Sequence, residues 1–98
     1  MNWINANGPV ADTIAARGLA YPVAVVDHTD CQGMEERYIL DAGTMTPAEV
    51  EDAFLSDGGG ERHRLMVSIL RSPSDVLAFD RFGHVAMRGN VGQARRVR

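Results

Sequence analysis

The densest group of side chains able to coordinate or attack is Asp27, His28, Asp30 and Cys31. Zinc needs four ligands in a tetrahedral array, usually with thiolate and imidazole among them. One cysteine and one neighbouring histidine fall short, and His63 or His84 would have to arrive from elsewhere in the fold. Cys31 beside a histidine is also the minimum for a thiolate nucleophile. A lone cysteine is more often a small apolar side chain, however, and no local motif marks this one as reactive. Asp57-Gly58-Gly59-Gly60 lacks the spacing and the lysine of a phosphate-binding loop. Neither Gly-x-Ser-x-Gly nor His-Glu-x-x-His occurs. The residues therefore point to no catalytic group, no metal site and no cofactor, and an enzyme is not expected.

Charge is the stronger signal. All ten basic residues are arginine, against thirteen acids, for a formal net charge of −3. The two signs are sorted along the chain. Residues 1–61 hold two arginines and eleven acids, a net of −9, while residues 62–98 hold eight arginines and two acids, a net of +6. After Asp80 only arginines remain, Arg88, Arg95, Arg96 and Arg98 closing the chain. Sorting of this kind points to charged partners unless the two segments face each other in the fold.

The elements that must position these residues can be read from pattern. Residues 9–17 suit a helix, with Pro9 in the first helical position, Val10 and Ile14 on one stripe, and Gly18 as a left-handed stop. Tyr21–Asp27 reads as a strand that is apolar on both faces, hence central and covered. His28–Gly33 is a polar turn, and Glu35–Asp41 returns as an alternating strand to close a hairpin. Thr46-Pro47-Ala48-Glu49 is a capping box opening a helix that ends at Asp57-Gly58-Gly59-Gly60. His63–Leu70 reads as a further buried strand. The segment Phe79–Val85 fits a hairpin turn and is favoured as such, although Ser72-Pro73-Ser74-Asp75 would also open a helix over 73–82. His84–Arg88 is expected as the last strand and 89–98 as a basic, flexible tail.

The resulting expectation is one α+β domain over residues 1–88, in the order α-β-β-α-β-β-β. Its sheet would be mainly antiparallel, of four to five strands, with one or two helices on one face. No run of about 20 apolar residues suggests a membrane span, and no signal peptide is evident at Met1, so a cytoplasmic location is expected.

These features favour a non-enzymatic protein-binding module, using an acidic face of Glu35, Glu36, Glu49, Glu51, Asp52 and Asp57 against a basic partner surface. Small inhibitors and adaptors of the kind encoded by phages and mobile elements, anti-CRISPR proteins included, have this character by analogy. The alternative is a nucleic-acid-associated protein using Arg88, Arg95, Arg96 and Arg98 on phosphates. No aromatic is interleaved among those arginines, which argues against base stacking. Sheet edges would also allow strand addition or self-pairing into a homo-oligomer.

Overall fold

The structure, a computed structural model, describes residues 3–58 and 60–82. Its axis is the strand Val23–Thr29 (β2), which pairs antiparallel with Glu35–Asp41 (β3) on one side and Leu65–Leu70 (β4) on the other. A two-residue strand, Ile4–Asn5 (β1), lies outside β3, giving the order β1-β3-β2-β4. Among the described residues three α-helices accompany this sheet: Val10–Arg17 (α1), Pro47–Ser56 (α2) and Pro73–Phe82 (α3). The class is α+β with an antiparallel sheet, as the pattern implied.

The strand β2 explains how the layers are arranged. Val23, Ala24, Val25 and Val26 are all buried, and successive strand residues point to opposite faces. Both faces of the sheet therefore need cover. On the first face, Val23 and Val25 join Ile39 and Leu70 beneath Val10 of α1 and Val76 and Phe79 of α3. On the second, Ala24 and Val26 join Leu65, Val67 and Ile69 beneath Val50 and Phe54 of α2. The expectation of helices on one face is thus corrected. An inner strand that is apolar on both sides cannot leave either side to water.

Several boundaries also shift from expectation. The strand β2 runs on through His28 and Thr29, because these pair with Glu36 and Glu35, and the turn contracts to Asp30–Met34. There the Asp30 carboxylate accepts the N–H groups of Gln32 and Met34, while Gly33 takes a φ of 85°. The strand expected from His63 begins only at Leu65. Arg62–Arg64 instead form a 3-10 turn whose arginine side chains reach back to Glu51, Asp52 and Glu61. Pro9 sits just outside α1, as its N-cap.

The capping box at α2 is present in full, with the Thr46 Oγ1 accepting from the Glu49 N–H at 3.2 Å and the Glu49 carboxylate accepting from the Thr46 N–H at 2.8 Å. The favoured hairpin near Phe79 is overturned, because Pro73–Phe82 is helical. Ser72 Oγ accepts from the Asp75 N–H, and the Asp75 carboxylate accepts from the Arg71 N–H. The expected strand His84–Arg88 and tail 89–98 lie outside the described residues.

Asp80 shows why the helical pattern was hard to read. It follows Val76 by four residues, so it places a charge on the stripe that Val76 and Phe79 would otherwise keep apolar. Its carboxylate accepts from the N–H groups of Val10 and Ala11, at 2.7 and 3.0 Å. As an N-cap, Pro9 has no side-chain oxygen to offer these donors, so a carboxylate about 70 residues away caps α1 and favours its positive end. Asp80→Ala should cost about 1–2 kcal/mol. Thermal unfolding should show the midpoint falling by about 4–8 °C for each kcal/mol. An unchanged midpoint would mean that α1 does not depend on this contact.

Candidate functional site

Side chains at the turn end of the sheet fall into cross-strand rows set by register. On the first face, Met66, Asp27 and Arg37 stand side by side across β4, β2 and β3, and Thr29 faces Glu35 in the next row. On this face α3 reaches the rows through Phe79 at Arg37, and the rows border a cleft of about 470 Å³ that Asn7 and Arg64 also line. Arg37 donates to Asp27 through Nε at 2.7 Å and Nη2 at 3.3 Å, and its guanidinium lies 4.8 Å from the centre of the Phe79 ring. Arg64 donates to the Asp30 carbonyl at 2.9 Å and to Glu61 at 3.3 Å. Both arginines are therefore held against the walls with their charges matched.

The second face is closed at the same end by aromatic packing. Phe54 lies at the centre, with Trp3 edge-on at 5.1 Å, Tyr38 at 5.3 Å and His28 at 6.0 Å. Trp3 Nε1 donates to Asp57 at 2.7 Å, and the Tyr38 hydroxyl donates to Glu36 at 3.0 Å. His28 Nδ1 is buried without a hydrogen-bond partner, 3.7 Å from the same Glu36 oxygen. A Cβ at Gly60, where φ is +96°, would stand 2.5 Å from His28 Nε2, so the backbone needs glycine there to close over the ring.

The six acids singled out by the charge pattern do not form one continuous face. Glu35 and Glu36 are consecutive on β3 and so point to opposite faces. Glu36 and Asp57 are joined through the aromatic group just described. Glu49 is engaged in the capping box at the start of α2. Glu51 is 1% exposed, and its carboxylate meets Arg62, which also donates to Asp52 at 3.0 Å. Those two acids, Asp52 foremost, hold the Arg62 guanidinium above its usual pKa. Glu35, in contrast, sits exposed at the cleft mouth with no hydrogen bond or ion pair to any described residue.

Cys31 is exposed in the hairpin turn, while the half-buried His28 ring packs against Phe54 and Gly60, so the two do not form a nucleophilic pair. Among the described residues no three histidine, cysteine, aspartate or glutamate side chains converge as a metal site, and no helix is long and apolar enough to cross a membrane. Arg88, Arg95, Arg96 and Arg98 lie outside the described residues. The cleft was not legible in the sequence, because it depends on where α1 and α3 stop covering the first face. The one available signal was the polar change along β2, from Val23–Val26 to Asp27–Thr29.

A second depression, of about 630 Å³, lies beside β1 and is lined by Trp3, Leu19, Leu40 and Asp41. Its acid, Asp41, already accepts the Ala20 N–H, which leaves the first cleft better supplied with a free carboxylate. Comparison with family models, curated proteins and solved structures returns no match to this chain.

Tyr38 provides a pH-sensitive readout of the aromatic group. Burial first, then the hydrogen bond to Glu36 and that carboxylate's charge, raise its pKa above the ordinary value of 10.0. A raised phenol favours the folded state fully below the unfolded-state pKa, and that contribution is lost as pH climbs through the folded value. Alkaline spectrophotometric titration should show a tyrosinate step later in the folded protein than in urea, absent from Tyr38→Phe. A step at the same pH in both states would mean that the phenol is neither buried nor bonded as described.

Proposed function

We propose that the protein is a non-enzymatic protein-binding module that recognises a basic surface on its partner. By analogy it would act as a small inhibitor or adaptor of the type encoded by phages and mobile elements, anti-CRISPR proteins included. The observation that supports this reading is the charge of the described body. Residues 3–82 hold six arginines (Arg17, Arg37, Arg62, Arg64, Arg71, Arg81) against all thirteen acids, a net of −7. Three of these arginines, Arg37, Arg62 and Arg64, already pair with local acids. The excess that remains is negative, and long-range fields of one sign steer association and select partners of the other.

Placement of the acids also says which of them can be tested. Neutralising Glu49 or Glu51 would disturb a helix cap or a buried carboxylate, and lost binding would then report lost structure. Glu35, Glu36 and Asp57 are the better targets, because amide isosteres at Glu36 and Asp57 keep hydrogen-bond acceptors for Tyr38 and Trp3.

Affinity capture with the tagged full chain from a nuclease-treated lysate of its source should retain a protein whose binding weakens as salt rises. Combining Glu35→Gln, Glu36→Gln and Asp57→Asn should lower that partner's affinity about tenfold with little change in unfolding midpoint, three exposed charges contributing up to about 1 kcal/mol each. Unchanged affinity would overturn the acidic-surface reading. Recovery of nucleic acid alone, lost on nuclease treatment, would favour the arginine-rich segment Arg88–Arg98 as the binding element.

A further inference from the structure

We propose that the cleft at the turn end of the first sheet face receives a single cationic side chain, arginine or lysine, from the basic partner, with the Glu35 carboxylate as its counter-charge. This rests on the protein-binding reading above and deepens it by naming the receiving site. The sign of the occupant follows from which charges are already matched. Arg37 is bound bidentately by Asp27 and lies over Phe79, and Arg64 is bound by Glu61 and the Asp30 carbonyl. Each guanidinium is already paired with a carboxylate, so neither adds an unmatched positive charge to the cleft. Glu35 alone among the cleft's charged side chains engages no described residue, so the uncompensated charge is negative.

The shape of the occupant follows from the rest of the lining. Thr29 is the direct cross-strand partner of Glu35, which places a hydroxyl and a carboxylate side by side at the mouth. Met66 stands beside Asp27 in the adjoining row and offers an adaptable thioether surface to an alkyl stem. An acceptor pair above a soft apolar floor suits a long side chain with a charged, hydrogen-bonding tip. A bare metal ion fits poorly, since no three metal-binding side chains converge among the described residues. The tied-back arginines also keep the chain's own cations in this region from filling the space.

The test is a titration of the isotope-labelled full chain, followed by amide NMR, with a capped Gly-Arg-Gly tripeptide and with Gly-Glu-Gly as the opposite-charge control. Saturable shifts at Thr29, Glu35 and Met66 are expected with the arginine peptide only. Glu35→Gln should weaken that binding about two- to fivefold, the range for one exposed ion pair. The charge-matched Asp12→Asn, outside the cleft on α1, should leave it unchanged. Absence of saturable shifts, equal affinity in Glu35→Gln, or stronger binding of the glutamate peptide would overturn the proposal. Since the titration uses no partner protein, its failure would leave a captured basic partner standing, and a failed capture would leave a positive titration standing.

Discussion

The arrangement depends on one constraint, the need to bury both faces of β2. Four consecutive residues, Val23 to Val26, present side chains alternately to the two sides of the sheet, and none of them reaches water. A sheet whose middle strand is apolar on both sides must be sandwiched, so α2 covers one face while α1 and α3 share the other. The cover is unequal in reach. Phe54 extends the α2 layer to His28 at the turn end, whereas Phe79 on the opposite side ends against the Arg37 guanidinium. That inequality leaves polar rows of β2 and β3 bordering open space.

Carboxylates hold this arrangement together in ways that composition does not disclose. Asp80 caps α1, Asp75 accepts the Arg71 N–H at the start of α3, Glu49 closes the capping box of α2, and Asp30 shapes the hairpin turn. Each satisfies backbone donors that would otherwise lack partners. Part of the chain's acid content is therefore used structurally, as acceptors for backbone donors. What separates Glu35 from these acids is the lack of any such engagement, and this is the cleft-lining carboxylate to which we assign recognition.

Much of the fold was legible because local and long-range requirements agreed. The Thr46–Glu49 box, the Gly18 stop and the β2–β3 hairpin all carry patterns whose chemistry is complete within a few residues. The miss at α3 comes from a side chain whose partner is distant in sequence. Asp80 breaks the helical stripe of α3 only because it serves α1, and this made a turn look plausible. Helices on both faces were already implied by the two-sided apolar pattern of β2, but a one-sided layer is the commoner expectation for a short antiparallel sheet. For the candidate site, Glu35 and Glu36 were legible as acids but not as residues on opposite faces with different duties. Glu51 read as a surface charge, although the fold buries it against Arg62.

The two-sided burial of β2 is tested most directly by comparing the unfolding free energies of Val25→Ala and Val26→Ala, neighbours that point into opposite layers. Each substitution removes two buried methylene-sized groups and should cost about 1.5–3 kcal/mol, so the account predicts similar losses at both positions. A full loss at one and a change within about 0.5 kcal/mol at the other, as expected for a surface site, would contradict it and restore a sheet covered on one face only.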